Sequence, residues 1–183
     1  MGIIYELFQE DPPQCQVWLG DAEKIFAEEA LGKYYGKRLL GLGIGANAEI
    51  KIWPKENYLS LVEKVGKSFD AVVFFGGDRD KERSDFISSQ IEMPCINLCG
   101  VTDIIQVVAV QQCLVGFIGN DSGLGHMASA AGIPTITIFG IGDPGRYRPW
   151  GRKSIWLQGK DNKLGNIKVD DVVTSLNKIM RKI

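Results

Sequence analysis

Gly119-Asn120-Asp121-Ser122-Gly123-Leu124-Gly125-His126-Met127-Ala128-Ser129-Ala130-Ala131-Gly132-Ile133-Pro134 is the stretch that decides the fold. An apolar run over 113–118 enters it and Thr135-Ile136-Thr137-Ile138-Phe139 leaves it, so the stretch reads as strand, loop, helix, strand: a βαβ unit. Ser122 suits an N-cap. Ala128, Ala130 and Ala131 suit a helix lying close on a sheet, and Gly132 with Pro134 supplies the stop. The loop before the helix is the expected ligand seat. There Gly123 and Gly125 leave first-turn amides uncovered, and the helix dipole adds positive potential suited to a phosphate. Asp121 repels phosphate and fits sugar hydroxyls beside one. His126, the only histidine, falls on the first helical turn. From there it either donates to the same ligand or lies inward as a hydrogen-bonded core residue, and for a lone histidine the inward reading is preferred.

Working outward, 183 residues with a net charge of -1 and interspersed charges fit one domain with a real core and give no electrostatic footprint for nucleic acid. No apolar run approaches the ~20 residues of a membrane span, and the start lacks a basic-then-apolar leader, so a cytoplasmic chain without a transmembrane segment is expected. Cys15, Cys95, Cys99 and Cys113 read as buried free thiols. With a single histidine a protein-built metal site is short of ligands, so no cofactor is expected; a divalent ion would come only loosely held, with a diphosphate.

The alternation of strands and helices becomes regular from Arg38. Before it, residues 14–19 alternate like a half-buried strand, and 22–31 has helical spacing at Ile25 and Ala30. Residues 39–44 form a buried strand candidate. Its glycines superficially suggest a dinucleotide fingerprint, but the Gly-x-Gly-x-x-Gly spacing is absent and Pro54, read as a first helical residue, places the next helix about ten residues on. What remains is a loop, 45–53, at the carboxyl end of a strand, the side on which open α/β sheets bind ligands. Lys51 in this loop is a natural counter-charge for a diphosphate. A helix over 55–67 buries Tyr58, Leu61, Val62 and Val65; a central parallel strand covers 71–75 and ends at Asp78; the charged run from Asp80 to Asp85 reads as the solvated face of a helix over 80–90. A short strand over 94–98 turns at Val101 and Thr102, a residue suited to capping, into a helix over 104–112. Beyond Phe139 a Gly/Pro-rich loop holds Tyr147, Trp150 and two arginines, Arg146 and Arg148, placed for a phosphate or an anionic acceptor, and a last strand over 154–157 and helix over 169–182 close the domain.

Asn120-Asp121-Ser122-Gly123-x-x-His126-x-Ala128-x-Ala130-x-Gly132-x-Pro134, with an apolar strand and Gly140 after it, resembles the donor-site signature of glycosyltransferase family 9, the heptosyltransferases of lipopolysaccharide assembly. A second block, Gly45-Ala46-Asn47-Ala48-Glu49-Ile50-Lys51-Ile52-Trp53-Pro54, resembles that family's loop ending in Lys-x-Trp-Pro. The resemblance implies a Rossmann-like three-layer α/β/α domain with a parallel sheet, the C-terminal half of a GT-B glycosyltransferase. Residues 1–36 would be the lead-in from an N-terminal domain, and 37–183 the domain that binds a nucleotide-diphospho-sugar, ADP-heptose. It implies Lys51 and Asn47 as phosphate-side contacts, Asp78 as a ribose contact with a side chain one methylene shorter than the family's usual acid, and Val101 and Thr102 at the adenine. Asp121, Ser122, Gly123 and His126 would complete the donor-binding set. Trp53 is expected to pack the loop. Asp78 has the alternative of an ordinary turn residue.

These positions follow successive strands, so a parallel sheet brings them to one rim. Glycosyl transfer needs a stabilised leaving diphosphate and a base for the acceptor hydroxyl. Lys51 and the Ser122-Gly123 amides supply the first; no catalytic residue is assigned for the second, which the resemblance places in the N-terminal half together with the lipopolysaccharide core acceptor. These 183 residues are then expected to bind donor and transfer poorly by themselves, in the cytoplasm or peripherally at the inner face of a bacterial inner membrane. Two alternatives stay open: a non-catalytic nucleotide-sugar-binding or regulatory module, and a sugar-nucleotide hydrolase or epimerase on a similar scaffold.

Overall fold

In the computed structural model, which describes residues 15–181, the uninterrupted apolar runs become strands. They are β1 (Leu39–Gly43), β2 (Ala71–Phe75), β3 (Cys95–Asn97), β4 (Gly116–Asn120), β5 (Thr135–Phe139) and β6 (Ser154–Gln158). All pair in parallel in one sheet, in the order β3-β2-β1-β4-β5-β6. Every residue of β1, β2, β4 and β5 is buried, as strands covered on both faces must be. The winding reverses between β1 and β4, which opens a crevice at their carboxyl ends.

Alternation along the strands splits the core in two. Leu40, Leu42, Val72, Phe74, Ile118 and Ile136 face α2 (Lys55–Val65), α3 (Lys81–Gln90) and α7 (Val169–Met180), which return Tyr58, Leu61, Val62, Ile87, Val172 and Leu176. Leu39, Val73, Phe75 and Phe117 face the other layer, α1 (Asp21–Leu31), α4 (Ile104–Gln112) and α5 (Gly123–Ala130), which return Ala27, Leu31, Val107, Val110 and Ala128. Each fully buried large aliphatic side chain contributes about 1.5–3 kcal/mol. The result is three layers, α/β/α, as the sequence pattern implies. A short helix, α6 (Pro144–Tyr147), interrupts the Gly/Pro-rich loop, capped by the Asp143 carboxylate accepting from Gly145 N at 2.8 Å.

At the crevice the two central strands pair through glycines, Gly43 opposite Gly119. A side chain on either would meet the Phe117 ring, at 2.6 Å from Gly43 and 2.7 Å from Gly119. The ring occupies the space that two β-carbons would need.

Several expectations are corrected. Residues 15–19 form no strand: no neighbouring edge pairs with them, Trp18 is 84% exposed, and Val17 is tied down by Gln112 Nε2 donating to its carbonyl at 3.4 Å. In α1 the buried residues are Ala27 and Leu31, while Ile25 faces solvent. Pro54 precedes α2 as its N-cap, with extended ψ, and is not its first helical residue. Gln14, the early residues of the lead-in, and 182–183 lie outside the described residues. Among the described residues no helix is long and apolar enough to cross a membrane, and no group of His, Cys, Asp and Glu could hold a metal ion.

The thiols also differ from expectation. Cys99 is buried, Cys95 and Cys113 are half-buried, and Cys15 is exposed. Burial pushes the Cys99 thiol up to about 11 and moves Cys113 in the same direction. Alkylation with iodoacetamide at pH 8, followed by peptide mass spectrometry, will label Cys15 first and Cys99 last. Labelling of Cys99 in the folded protein at the rate of Cys15 would contradict the burial described.

Candidate functional site

The crevice is built around the side chain of Asn120, the last residue of β4, which is fully buried. Its Nδ2 donates to the carbonyls of Gly43 (3.2 Å) and Gly45 (3.3 Å), and its Oδ1 accepts from Trp53 N at 2.9 Å. These partners are fixed donors and acceptors, so they decide the amide's orientation. The Tyr58 hydroxyl lies 3.1 Å from both the Gly43 carbonyl and Asn120 Oδ1, where its single proton serves one at a time. Burial raises the Tyr58 phenol above its usual value, so it stays neutral. Trp53, also fully buried, meets Tyr58 edge-on at 5.2 Å and donates its indole N–H to the Ile167 carbonyl at 3.4 Å. Trp53 therefore packs the loop down, as expected.

Both ends of the 45–53 loop are thus fixed to β4, and its middle, a 3-10 turn at Glu49–Lys51, carries Lys51 over the next residue of the β4 loop. Lys51 Nζ pairs with Asp121 Oδ2 at 2.6 Å; the two side chains are 26% and 10% exposed. Gly142, from the loop after β5, lies against the same carboxylate: a β-carbon there would stand 3.4 Å from Asp121 Oδ2. Asp121 and Lys51, predicted from separate motifs, are brought together; the pairing itself was not anticipated.

Beside the pair, α5 begins at Ser122. Ser122 does occupy the N-cap position, but its hydroxyl makes no cap bond, and Oγ is buried without a partner among the described residues. Gly123 at the first helical position is exposed, leaving the helix start open. His126 contradicts the preferred inward reading. It is exposed, because the inward positions of this short helix fall on Gly125, Ala128 and Ser129.

An open cleft of about 490 Å³ is lined by Gly45, Ala46, Asn47, Gly76, Gly77, Asp78, Arg79, Asp80, Ser122 and Leu124. Asn47, Asp78 and Ser122 therefore reach one concavity, framed by the loops after β1, β2 and β4. Asp78 is exposed and bound to Lys81 at 2.8 Å; that hydrogen bond and the lysine's charge hold its carboxyl below the usual range. Val101 is exposed, and Thr102 donates weakly to the Leu98 carbonyl at 3.4 Å; neither belongs to the lining of the cleft. Thr102 does not cap α4. Asp103 does, in a reciprocal capping box with Gln106. A second concavity of about 450 Å³, near the amino ends of β5 and β6, contains none of the predicted site residues.

The largest departure lies in the charged run after Asp78. Asp80 is 8% exposed and Arg83's side chain 16%, so these two are not a solvated face. Gly77 N donates to Asp80 Oδ2 at 2.9 Å, and Arg83 donates to Asp80 Oδ1 at 2.7 Å and to the Ile44 carbonyl at 3.4 Å. The guanidinium's other terminal nitrogen, Nη2, donates to both Glu49 carboxylate oxygens, at 2.8 and 3.0 Å. Asp80 fits because Gly45 has no side chain; a β-carbon on Gly45 would overlap its carboxylate. The signal was present in the glycines at the ends of β1 and β2, which make room for something.

A lysine on a doubly anchored loop and an open helix start thus stand beside a polar-lined cleft at the switch point of a parallel sheet. The sequence model of glycosyltransferase family 9 (heptosyltransferase) matches residues 7–175. The chain belongs to glycosyltransferase family 9. A family 9 relative, lipopolysaccharide heptosyltransferase 2 of Salmonella typhimurium, is 29% identical over 147 residues, covering 78% of this chain and 42% of that protein. Among solved structures, Escherichia coli ADP-heptose lps heptosyltransferase II superposes with a TM-score of 0.81 at 25% identity, over 91% of this chain and 54% of that one. An E. coli heptosyltransferase solved with ADP shares the fold, with a TM-score of 0.74 at 20% identity over 97% of this chain and 54% of that one. The chain spans about half the length of the relatives it matches.

The family 9 crevice depends on Asn120. Asn120→Ala leaves the Trp53 N–H and two carbonyls without their amide partner and will lower stability by about 2–3 kcal/mol, read as a shift in the urea midpoint, against about 1 kcal/mol for Tyr58→Phe. Equal effects of the two variants would show that the amide is not the main tie.

Proposed function

We propose that the chain is the donor-binding half of a heptosyltransferase, holding a nucleotide-diphospho-sugar, ADP-heptose, whose heptose passes to a lipopolysaccharide core acceptor. The observation that carries this reading is the Lys51–Asp121 pair beside the open start of α5, with the buried Ser122 Oγ unpartnered. The relatives support the sugar and the nucleotide: they are heptosyltransferases, one named for ADP-heptose and one solved with ADP.

In this reading the diphosphate takes Asp121's place on the Lys51 ammonium and accepts from the first amides of α5. Asp121, released, accepts from sugar hydroxyls. The acceptor hydroxyl attacks the anomeric carbon, the bond from that carbon to the diphosphate oxygen breaks, and its electron pair leaves on ADP. Lys51 and the helix start stabilise that charge where it develops. The hydroxyl's proton goes to a base in the acceptor-binding half, with which this domain would act. Residues 1–36 would connect the two.

Calorimetric titration with ADP-heptose, ADP, UDP and GDP tests the site. ADP and ADP-heptose will bind in preference to the other two, and Lys51→Ala will weaken both by about tenfold or more, the scale of a charge-assisted contact. Asp121→Ala will weaken ADP-heptose but not ADP, because it removes a sugar contact and frees the lysine. Binding of none, or of all four alike, overturns the reading. Rapid heptose transfer by these 183 residues alone would overturn the assignment of the base elsewhere.

A further inference from the structure

We infer that Arg83 is the positioning residue for the diphosphate end of the donor, acting through Glu49 on the loop that carries Lys51. This deepens the donor-site reading above and rests on it.

Arg83 belongs to α3, in the β2 unit, whereas Lys51 belongs to the loop after β1. Between them stands a relay in which every link is a charge or a backbone group. Gly77 N fixes the Asp80 carboxylate, Asp80 fixes one edge of the guanidinium, and the other edge holds both oxygens of Glu49. Glu49 opens the 3-10 turn Glu49–Lys51 that ends at the lysine. Asn120 secures the loop at Gly45 and Trp53, and its middle is held at Glu49 by Arg83 and at Lys51 by Asp121. The planar guanidinium holds its two terminal nitrogens in a fixed relation, Nη1 on Asp80 and Nη2 on Glu49, so the buried carboxylate sets where the loop's carboxylate stands; an ammonium has no such fixed pair of directions.

The electrostatics have the same sense. Asp80, nearly buried, is the group that holds Arg83 in place, since an unpaired carboxylate there is costly. Glu49's side chain is 82% exposed, so its bond to Arg83 is worth little for overall stability but much for where the loop stands. A contact of low stability value and high geometric definition, placed on the turn that carries Lys51, is what positioning requires.

The test compares ADP with AMP, which lacks the outer phosphate, in calorimetric titrations of wild type, Glu49→Gln, Arg83→Lys and Arg83→Met. Glu49→Gln leaves the buried Asp80–Arg83 pair intact and keeps the test available if Arg83→Met does not fold. Lys64→Met, which breaks the distant surface pair with Asp170, is the control. Arg83→Met and Arg83→Lys will weaken ADP by about tenfold and Glu49→Gln by a few-fold, with AMP changed less than twofold in each, and amide exchange over residues 46–52 will rise in the same variants. Equal losses for ADP and AMP would make Arg83 a merely structural residue and overturn the inference. Unchanged ADP affinity with faster exchange in the loop would overturn it too, while leaving the donor site standing. Absence of ADP binding in the wild type brings down the donor-site reading and this inference with it.

Discussion

One buried carboxamide ties the crevice together. Asn120 stands where β4 ends and reaches across to the backbone leaving β1, so the two parallel strands between which the winding reverses are bridged at their carboxyl ends. Left without that bridge, the Trp53 N–H and the Gly45 carbonyl would lose their side-chain partner and the Gly43 carbonyl would keep only the Tyr58 hydroxyl. The loop can then run as irregular backbone over a sheet edge and still be fixed, because its two ends share one side chain.

On this frame the charges are arranged in two closed groups. Lys51 with Asp121 lies near the start of α5, and Asp80 with Arg83 and Glu49 lies beneath and beside the loop. The second group contains the more deeply held pair, and it is satisfied by backbone as well as by counter-charge, which is the condition for a buried ion pair to persist. The first group is more open, with one partner on each of two loops that need not keep the same spacing when a ligand arrives. Rigidity and exchangeability are thus assigned to different carboxylates a few residues from the same cleft.

Much of this was legible in the residues. β2 and β5 match the expected spans to the residue because strands covered on both faces are dense in apolar and β-branched side chains, Thr135 and Thr137 included; α4 matches as well. Asn47, Asp78 and Ser122 could be sent to one rim because each follows a parallel strand, and topology does the rest. His126 was misjudged because the helix is so short that glycine and alanine fill its inner face. The run from Asp80 to Asp85 was misjudged for a different reason: charge predicts solvent only when no partner waits inside, and Glu49 lies 34 positions from Arg83. Residues 15–19 had the alternation of a strand but no edge to join, which a local pattern does not report.

The fit between Gly45 and Asp80 carries a further consequence. The carboxylate fills the volume in which any side chain at 45 would begin, and Gly76 is pressed by the same group, with a β-carbon position 2.7 Å from Asp80 Cβ. The three positions therefore share one allotment of space and are not free to vary separately. A relative in which the aspartate is replaced by a smaller neutral residue can accept alanine at either glycine, whereas one that keeps the aspartate cannot. Across diverging sequences this contact would surface as covariation of position 80 with positions 45 and 76, a record of packing, not of chemistry.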